Sequence, residues 1–186
     1  MILPLVYHPD TRLRAKGSPI RTIDDSLRQL AADMLETMEH HEGVGLAAQQ
    51  VGRAIQFAIV DVSGIEDRPS TMTVKGQAVN PDDYMPLFLI NPVVTGTKAK
   101  ERGSEGCLSI PGLRTDVARS RRVEVKTLTL EGETLEFEAT GLLAVAIQHE
   151  TDHLHGKLFI DLLSPAERAE VKEELDEIMA KYGPKS

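Results

Sequence analysis

The chain of 186 residues has one cysteine, Cys107, so no internal disulfide can form and the fold must stand without that constraint. Such usage fits a reducing cytoplasm, or an organelle with its own translation. No apolar run reaches the length needed to cross a bilayer. The amino terminus, Met1 to Asp10, lacks the charged and long apolar regions of a secretory signal. Neither membrane insertion nor secretion is expected. Positive charge is also short: 21 Lys and Arg against 29 Asp and Glu leave a net charge of −8. That balance withholds the basic footprint of a DNA- or RNA-binding surface. Internal repeats are absent, and the length suits a single domain over residues 1–186 with a sizeable core.

What is present points to a metal. The segment His149-Glu150-Thr151-Asp152-His153 places two histidines four apart, so on a helix both imidazoles share one face and can reach one ion, with Glu150 beside them. Ahead of it, Gly141 to Gln148 is apolar nearly all round, as in a helix buried in a core. Gly156 suits the end of that helix. Two histidines and two acids in such a setting are costly to desolvate without partners. A chance match on an ordinary helix is the bland alternative, and this context argues against it.

A catalytic site that keeps a position open for water needs a third protein ligand. Glu173, twenty residues beyond His153, would serve in the manner of thermolysin-like proteases. It lies, however, in a stretch from Pro165 to Glu177 where acids recur at nearly every turn, which reads better as a solvated helix face. Cys107 is the other candidate. A lone cysteine is usually a small buried hydrophobe, but Gly106 before it and Ile110-Pro111-Gly112 after it mark a backbone shaped to present a side chain. A thiolate is a good ligand for zinc or ferrous iron.

Hydrophobic periodicity sketches the rest. Asp24 or Asp25 caps a helix with the stripe Leu27, Leu30, Met34 and Met38, stopping near Gly43. Ile55–Val60 and Leu87–Ile90 read as strands, and Val123–Leu130 pairs with Leu135–Phe137 as a hairpin. Ser63 to Pro86, polar and rich in Pro, Gly and Asp, reads as a long surface loop or insertion. The last helix opens at Ser164-Pro165-Ala166-Glu167, a capping-box pattern, and carries Val171, Leu175, Ile178 and Tyr182 on one side. Strands and helices do not alternate regularly. An α+β fold is expected, with mixed, mainly antiparallel strands packed around a buried metal-binding helix and a helix near each terminus. Gly43, Gly45 and Ala48 technically fit a dinucleotide fingerprint. The order around them, helix before and strand after, is the reverse of what pyrophosphate binding needs.

Three motifs, Gly43-Val44-Gly45-Leu46-Ala47-Ala48-Gln49-Gln50, Glu105-Gly106-Cys107-Leu108-Ser109 and Gln148-His149-Glu150-Thr151-Asp152-His153-Leu154, occur in the order found in the peptide deformylases. Pro9-Asp10-x-x-Leu13-Arg14 and Ile110-Pro111-x-x-Arg114 extend the likeness, so the sequence resembles that family over almost its whole length. The resemblance implies removal of the formyl group from the starting methionine of new polypeptides, with release of formate. It implies metal ligation by Cys107, His149 and His153, and proton transfer by Glu150. Donors to the developing oxyanion would be the Leu108 backbone N–H and the Gln50 amide. By position in the motifs, Val44, Leu142, Val145 and Ala146 line a slot for the methionine side chain, Gly45 offers backbone hydrogen bonds and Arg114 helps hold the peptide. Leu142, Val145 and Ala146 serve equally well as plain core residues.

One divalent ion is implied, Fe2+ ahead of Zn2+, Ni2+ or Co2+. Asp152 and Glu105 have two readings, acids that orient the ligand histidines or ordinary helix-end and loop acids, and both stay open. The substrates implied are N-formylmethionyl peptides, with nascent chains at the ribosome as their source. Yet Pro165 to Ser186 holds six acids against four bases, a poor match for docking on RNA. A zinc endopeptidase using Glu173, and a non-catalytic protein with a structural metal site, are the rival readings.

Overall fold

The structure, a computed structural model, describes residues 1–185. Helix α1, Asp25–His40, begins where the Asp24 carboxylate accepts the Leu27 N–H at 3.0 Å. Its buried apolar residues Leu27, Ala31, Met34 and Met38 recur at the helical period and form one stripe. Strands β1 (Gly45–Ala47) and β2 (Phe57–Val60) follow, and all four residues of β2 are buried. Side chains alternate across a strand. Phe57 and Ile59 accordingly join the cluster of α1, whereas Ala58 and Val60 join the one on the other face.

The segment Ser63 to Pro86 is not simply a loop. It contributes β3 (Ser70–Val74) and β4 (Gln77–Val79), a hairpin turned by Lys75 and Gly76 at φ 50° and 76°, and then a 3-10 turn over Pro81–Tyr84. These strands are short and polar, and Met72 is their one fully buried residue, so the alternation that signals a strand is nearly silent. Next come β5 (Leu87–Gly96), β6 (Lys100–Cys107), β7 (Ile110–Ser120), β8 (Arg122–Leu128) and β9 (Thr134–Thr140). Seven strands form one antiparallel sheet in the order β1-β2-β5-β8-β9-β3-β4. The expected β8–β9 hairpin is present, with Leu128 opposite Thr134. Strands β6 and β7 make a separate two-stranded hairpin. Periodicity does not announce β6, whose residues Lys100 to Cys107 are mostly polar or glycine.

Helix α2, Gly141–Leu154, crosses the face of the sheet opposite α1, with Leu142, Leu143, Ala144, Ala146 and Ile147 in the larger cluster. It can start where it does because Gly141 has φ 68° and no side chain: a Cβ there would lie 1.9 Å from the Pro69 carbonyl oxygen. A third cluster joins Ile110, Leu113 and Val117 of β7 to Leu158–Ile160 and to the carboxy-terminal helices. The Ser164 capping box with Glu167 forms as expected. The single last helix, however, is divided into α3 (Pro165–Glu170) and α4 (Lys172–Tyr182) at the buried Val171. Residues Gly45–Ala47 are themselves a strand, and a 3-10 turn over Ala48–Val51 follows, so no α-helix starts where a dinucleotide would need one. The fold is α+β, mainly antiparallel, around α2. Among the described residues no helix is long and apolar enough to cross a membrane.

Candidate active site and metal centre

Helix α2 carries His149, Glu150 and His153, all buried, and β6 ends at Cys107 directly against them. One ligand atom from each of Cys107, His149 and His153 lies within 4.8 Å of the others. Cys107 Sγ is 3.4 Å from His153 Nε2. The two imidazole rings are 5.1 Å apart, and His149 also stacks on Phe159. Residues distant in sequence thus meet because the β6–β7 hairpin brings its turn to the second half of α2.

The orientation of His149 is built in. Its Nδ1 donates to Glu105 Oε1 at 2.9 Å, leaving Nε2 as the free ring nitrogen. Glu105 is held in turn by Arg119 of β7, which donates from Nε and Nη2 to both carboxylate oxygens at 2.9 Å. Arg119 Nη1 donates to Asp152 at 2.5 Å. Burial works to raise the Glu105 pKa, but the hydrogen bonds from His149 and Arg119 outweigh it and hold the acid at about 2. At neutral pH it is an anion. The two readings of the neighbouring acids therefore separate: Glu105 touches His149 directly, whereas Asp152 accepts from Arg119. Sequence reasoning missed Arg119 altogether, since beside Arg121 and Arg122 it looks like one more surface base.

The residues fit a metal ion. A thiol and two imidazoles converge within 4.8 Å of one another, and His153 Nδ1 is buried without a hydrogen-bond partner. Burial also pushes the His153 pKa well down, keeping the ring neutral, which is the ligating form. A sulfur and two nitrogens suit a first-row ion such as zinc, iron, cobalt or nickel. Glu173 is exposed at the start of α4 and takes no part in this group.

Around the centre opens a cleft of about 800 Å³. Glu150 lines it, 4 % exposed, with Oε2 unpartnered. Burial raises its pKa to about 7, close to the range in which a carboxyl both takes and returns a proton at neutral pH. A divalent cation alongside would pull that value down. Gly45 makes room for it: a Cβ there would lie 2.3 Å from Glu150 Oε1. Gln50, 1 % exposed, accepts the Ala47 N–H on Oε1 at 2.9 Å. This turns Nε2 toward the centre, where it lies 3.2 Å from Ser109 Oγ and 3.5 Å from Cys107 Sγ. Leu108 sits in the β6–β7 turn on the cleft wall.

The remaining sequence-derived residues, Val44, Gly45, Arg114, Leu142, Val145 and Ala146, all line the cleft. For Leu142 and Ala146 the choice between slot and core dissolves, because they line the cleft while belonging to the main cluster. Reasoning from sequence did not find Tyr7 and Tyr182, which stack at 4.3 Å on the cleft wall from opposite ends of the chain. Nor did it find Ile65, Asp67 and Arg68, which enter from the segment read as a surface loop.

A profile described as "Polypeptide deformylase" matches residues 2–169. A peptide deformylase of Methylacidiphilum infernorum is 55 % identical over 178 residues, covering 96 % of this chain and 93 % of that protein. Among solved structures, peptide deformylase from Ehrlichia chaffeensis superposes with a TM-score of 0.82 at 32 % identity, covering 97 % of each chain. The one from Legionella pneumophila gives 0.79 at 35 % identity over the full length of both. With its cysteine and histidines gathered against a buried glutamate and its sequence matched almost end to end, the chain belongs to the polypeptide deformylase family.

Proposed function

We propose that this protein removes the formyl group from the amino-terminal formyl-methionine of newly made polypeptides and releases formate. One observation carries the reading: Cys107, His149 and His153 converge beside the buried Glu150 carboxyl, its Oε2 unpartnered, in a cleft with both apolar and charged walls, in a chain of this family. A divalent ion held by those three residues supplies Lewis acidity and makes water a competent nucleophile at neutral pH. Glu150 Oε2 accepts the proton of the attacking water and later delivers it to the departing amine nitrogen. The Gln50 amide and the Leu108 N–H donate to the carbonyl oxygen as it becomes an anion; losing one such donor costs roughly a hundredfold or more in rate. Val44, Leu142, Val145 and Ala146 receive the methionine side chain, Gly45 offers its backbone to the peptide, and Arg114 anchors the chain beyond it. A formyl carbon carries hydrogen where a peptide carbonyl carries a chain, so a closed site admits it and rejects ordinary peptide bonds.

Formate release from formyl-Met-Ala, with bound metal measured in parallel, tests this. Cys107→Ser should lower metal content, Glu150→Ala should keep the metal and lose activity, and Glu173→Ala should change neither. A site emptied by Glu173→Ala and left full by Cys107→Ser would instead support an endopeptidase. Ferrous iron is the ion we assign. Beside a thiolate it is oxygen-sensitive, so activity of aerobically purified protein should decay and peroxide should hasten the decay. An unchanged rate after long exposure rules iron out. The reading places the enzyme in the cytoplasm, where starting methionines are formylated and thiols stay reduced. Helices α3 and α4 hold more acids than bases, a poor match for docking on RNA.

A further inference from the structure

Two guanidinium groups stand on one carbonyl at the cleft. Arg68, from the segment between β2 and β3, donates from Nη1 to the Ser104 carbonyl oxygen at 2.9 Å. Arg114, on β7, donates from Nη2 to that same oxygen at 3.4 Å and from Nε to Ser104 Oγ at 3.2 Å. Strand β6 is cut away to receive them. A Cβ on Gly103 would come within 2.9 Å of Arg68 Nη2, and one on Gly106 within 3.0 Å of Arg114 Nη1. Among the described residues neither guanidinium has a carboxylate within 4.0 Å, whereas Arg12, Arg14, Arg102 and Arg119 each do. Asp67 lines the same cleft without pairing with either. Two like charges sharing one neutral dipole repel, and a carboxylate between them would relieve that repulsion with charge-assisted hydrogen bonds.

Their position says which part of a substrate would bring that carboxylate. Ser104 is three residues before Cys107 on β6, about 10 Å at the rise of a strand. A formylated peptide extended from Cys107 along this wall covers the same span in about three residues. We propose that Arg68, together with Arg114, receives an acidic side chain at the third residue of the substrate, so that chains with Asp or Glu there are processed preferentially. This rests on the deformylase reading above. Arg114 belongs to the general hold on the peptide, and Arg68 is the residue that sets the charge preference.

The test uses three amidated substrates, formyl-Met-Ala-Glu-amide, formyl-Met-Ala-Gln-amide and formyl-Met-Ala-Lys-amide, with kcat/KM read from formate release by the metal-loaded enzyme. The glutamate peptide should exceed the glutamine peptide by about twofold to fivefold, as befits a part-exposed ion pair, with the lysine peptide last. The difference should lie in KM and shrink as salt is raised. Arg68→Glu should reverse the order and favour lysine, and Arg68→Gln should bring the three rates together. Equal rates in the unaltered enzyme, or an unchanged order in both variants, would overturn the proposal while leaving the deformylase reading intact. A preference for free-acid formyl-Met-Ala-Ala over its amide, with no side-chain preference, would also overturn it and assign the arginines to a terminal carboxylate. No formate from any substrate would overturn the function itself, and the proposal with it.

Discussion

At the scale of single residues, the site depends as much on what orients its groups as on the groups themselves. Glu150 stands where it does because Gly45 has no side chain, the missing Cβ lying 2.3 Å from Oε1. Gly45→Ala should therefore swing the carboxyl aside and lower kcat about a hundredfold, the usual effect of displacing a reacting group by an ångström. Metal content, measured by elemental analysis, should stay at one ion per chain. Arg119 shows the opposite pattern. It hydrogen-bonds to none of Cys107, His149 and His153, yet it grips both oxygens of the Glu105 carboxylate that fixes His149. Arg119→Met keeps the bulk and removes the grip, leaving a buried anion free to turn. Metal affinity should drop about tenfold to a hundredfold in a chelator competition. An affinity equal to that of the unaltered protein would assign Arg119 to packing alone.

At the scale of elements, two local devices deliver the site. Gly141 turns the chain out of β9 into α2 at a positive φ and against the Pro69 carbonyl, so a substituent there is both strained and crowded. Gly141→Ala should destabilise the protein by about 1–3 kcal/mol or more, read as a lower urea midpoint. The second device ties the 3-10 turn at Thr11–Arg14 to the one at Phe159–Leu162 beneath the histidines. Arg14 donates to both oxygens of Asp161, which also accepts the Leu158 N–H. Burial tends to raise the Asp161 pKa, but the bonds from Arg14 and Leu158 outweigh it and hold it below the usual carboxylate range. A carboxylate with a depressed folded-state pKa contributes stability above its unfolded value and loses it as pH falls through the folded one. Urea midpoints of the unaltered protein and Asp161→Asn should hence differ at pH 7 and converge once the pH drops below the folded pKa.

At the scale of the whole molecule, three apolar clusters meet around the cleft, and the centre lies where α2, the β6–β7 hairpin and the turn after β1 converge. A ligand that binds only this assembled arrangement stabilises it by mass action. Stripping the ion with a chelator should lower Tm by several degrees in a thermal scan, and adding it back should restore the value. An identical Tm with and without chelator would mean that Cys107, His149 and His153 do not bind an ion in the folded protein. Much of this was legible in advance because its signals are local. The spacing of His149 and His153, the stripe of α1, the caps at Asp24 and Ser164 and the β8–β9 hairpin each depend on residues a few positions apart. The β3–β4 hairpin, the split between α3 and α4, and β6 escaped because short polar strands and a break within an amphipathic pattern carry little periodic signal. By itself the sequence determined which side chains could hold an ion and move a proton, since chemistry belongs to residue type. Only the tertiary structure decided that Arg119 would stand behind Glu105 and that Arg68 would join Arg114 at the cleft. Those pairings span 14 and 46 positions, and it is the packing of strands and hairpins, with no local pattern to record it, that closes such distances.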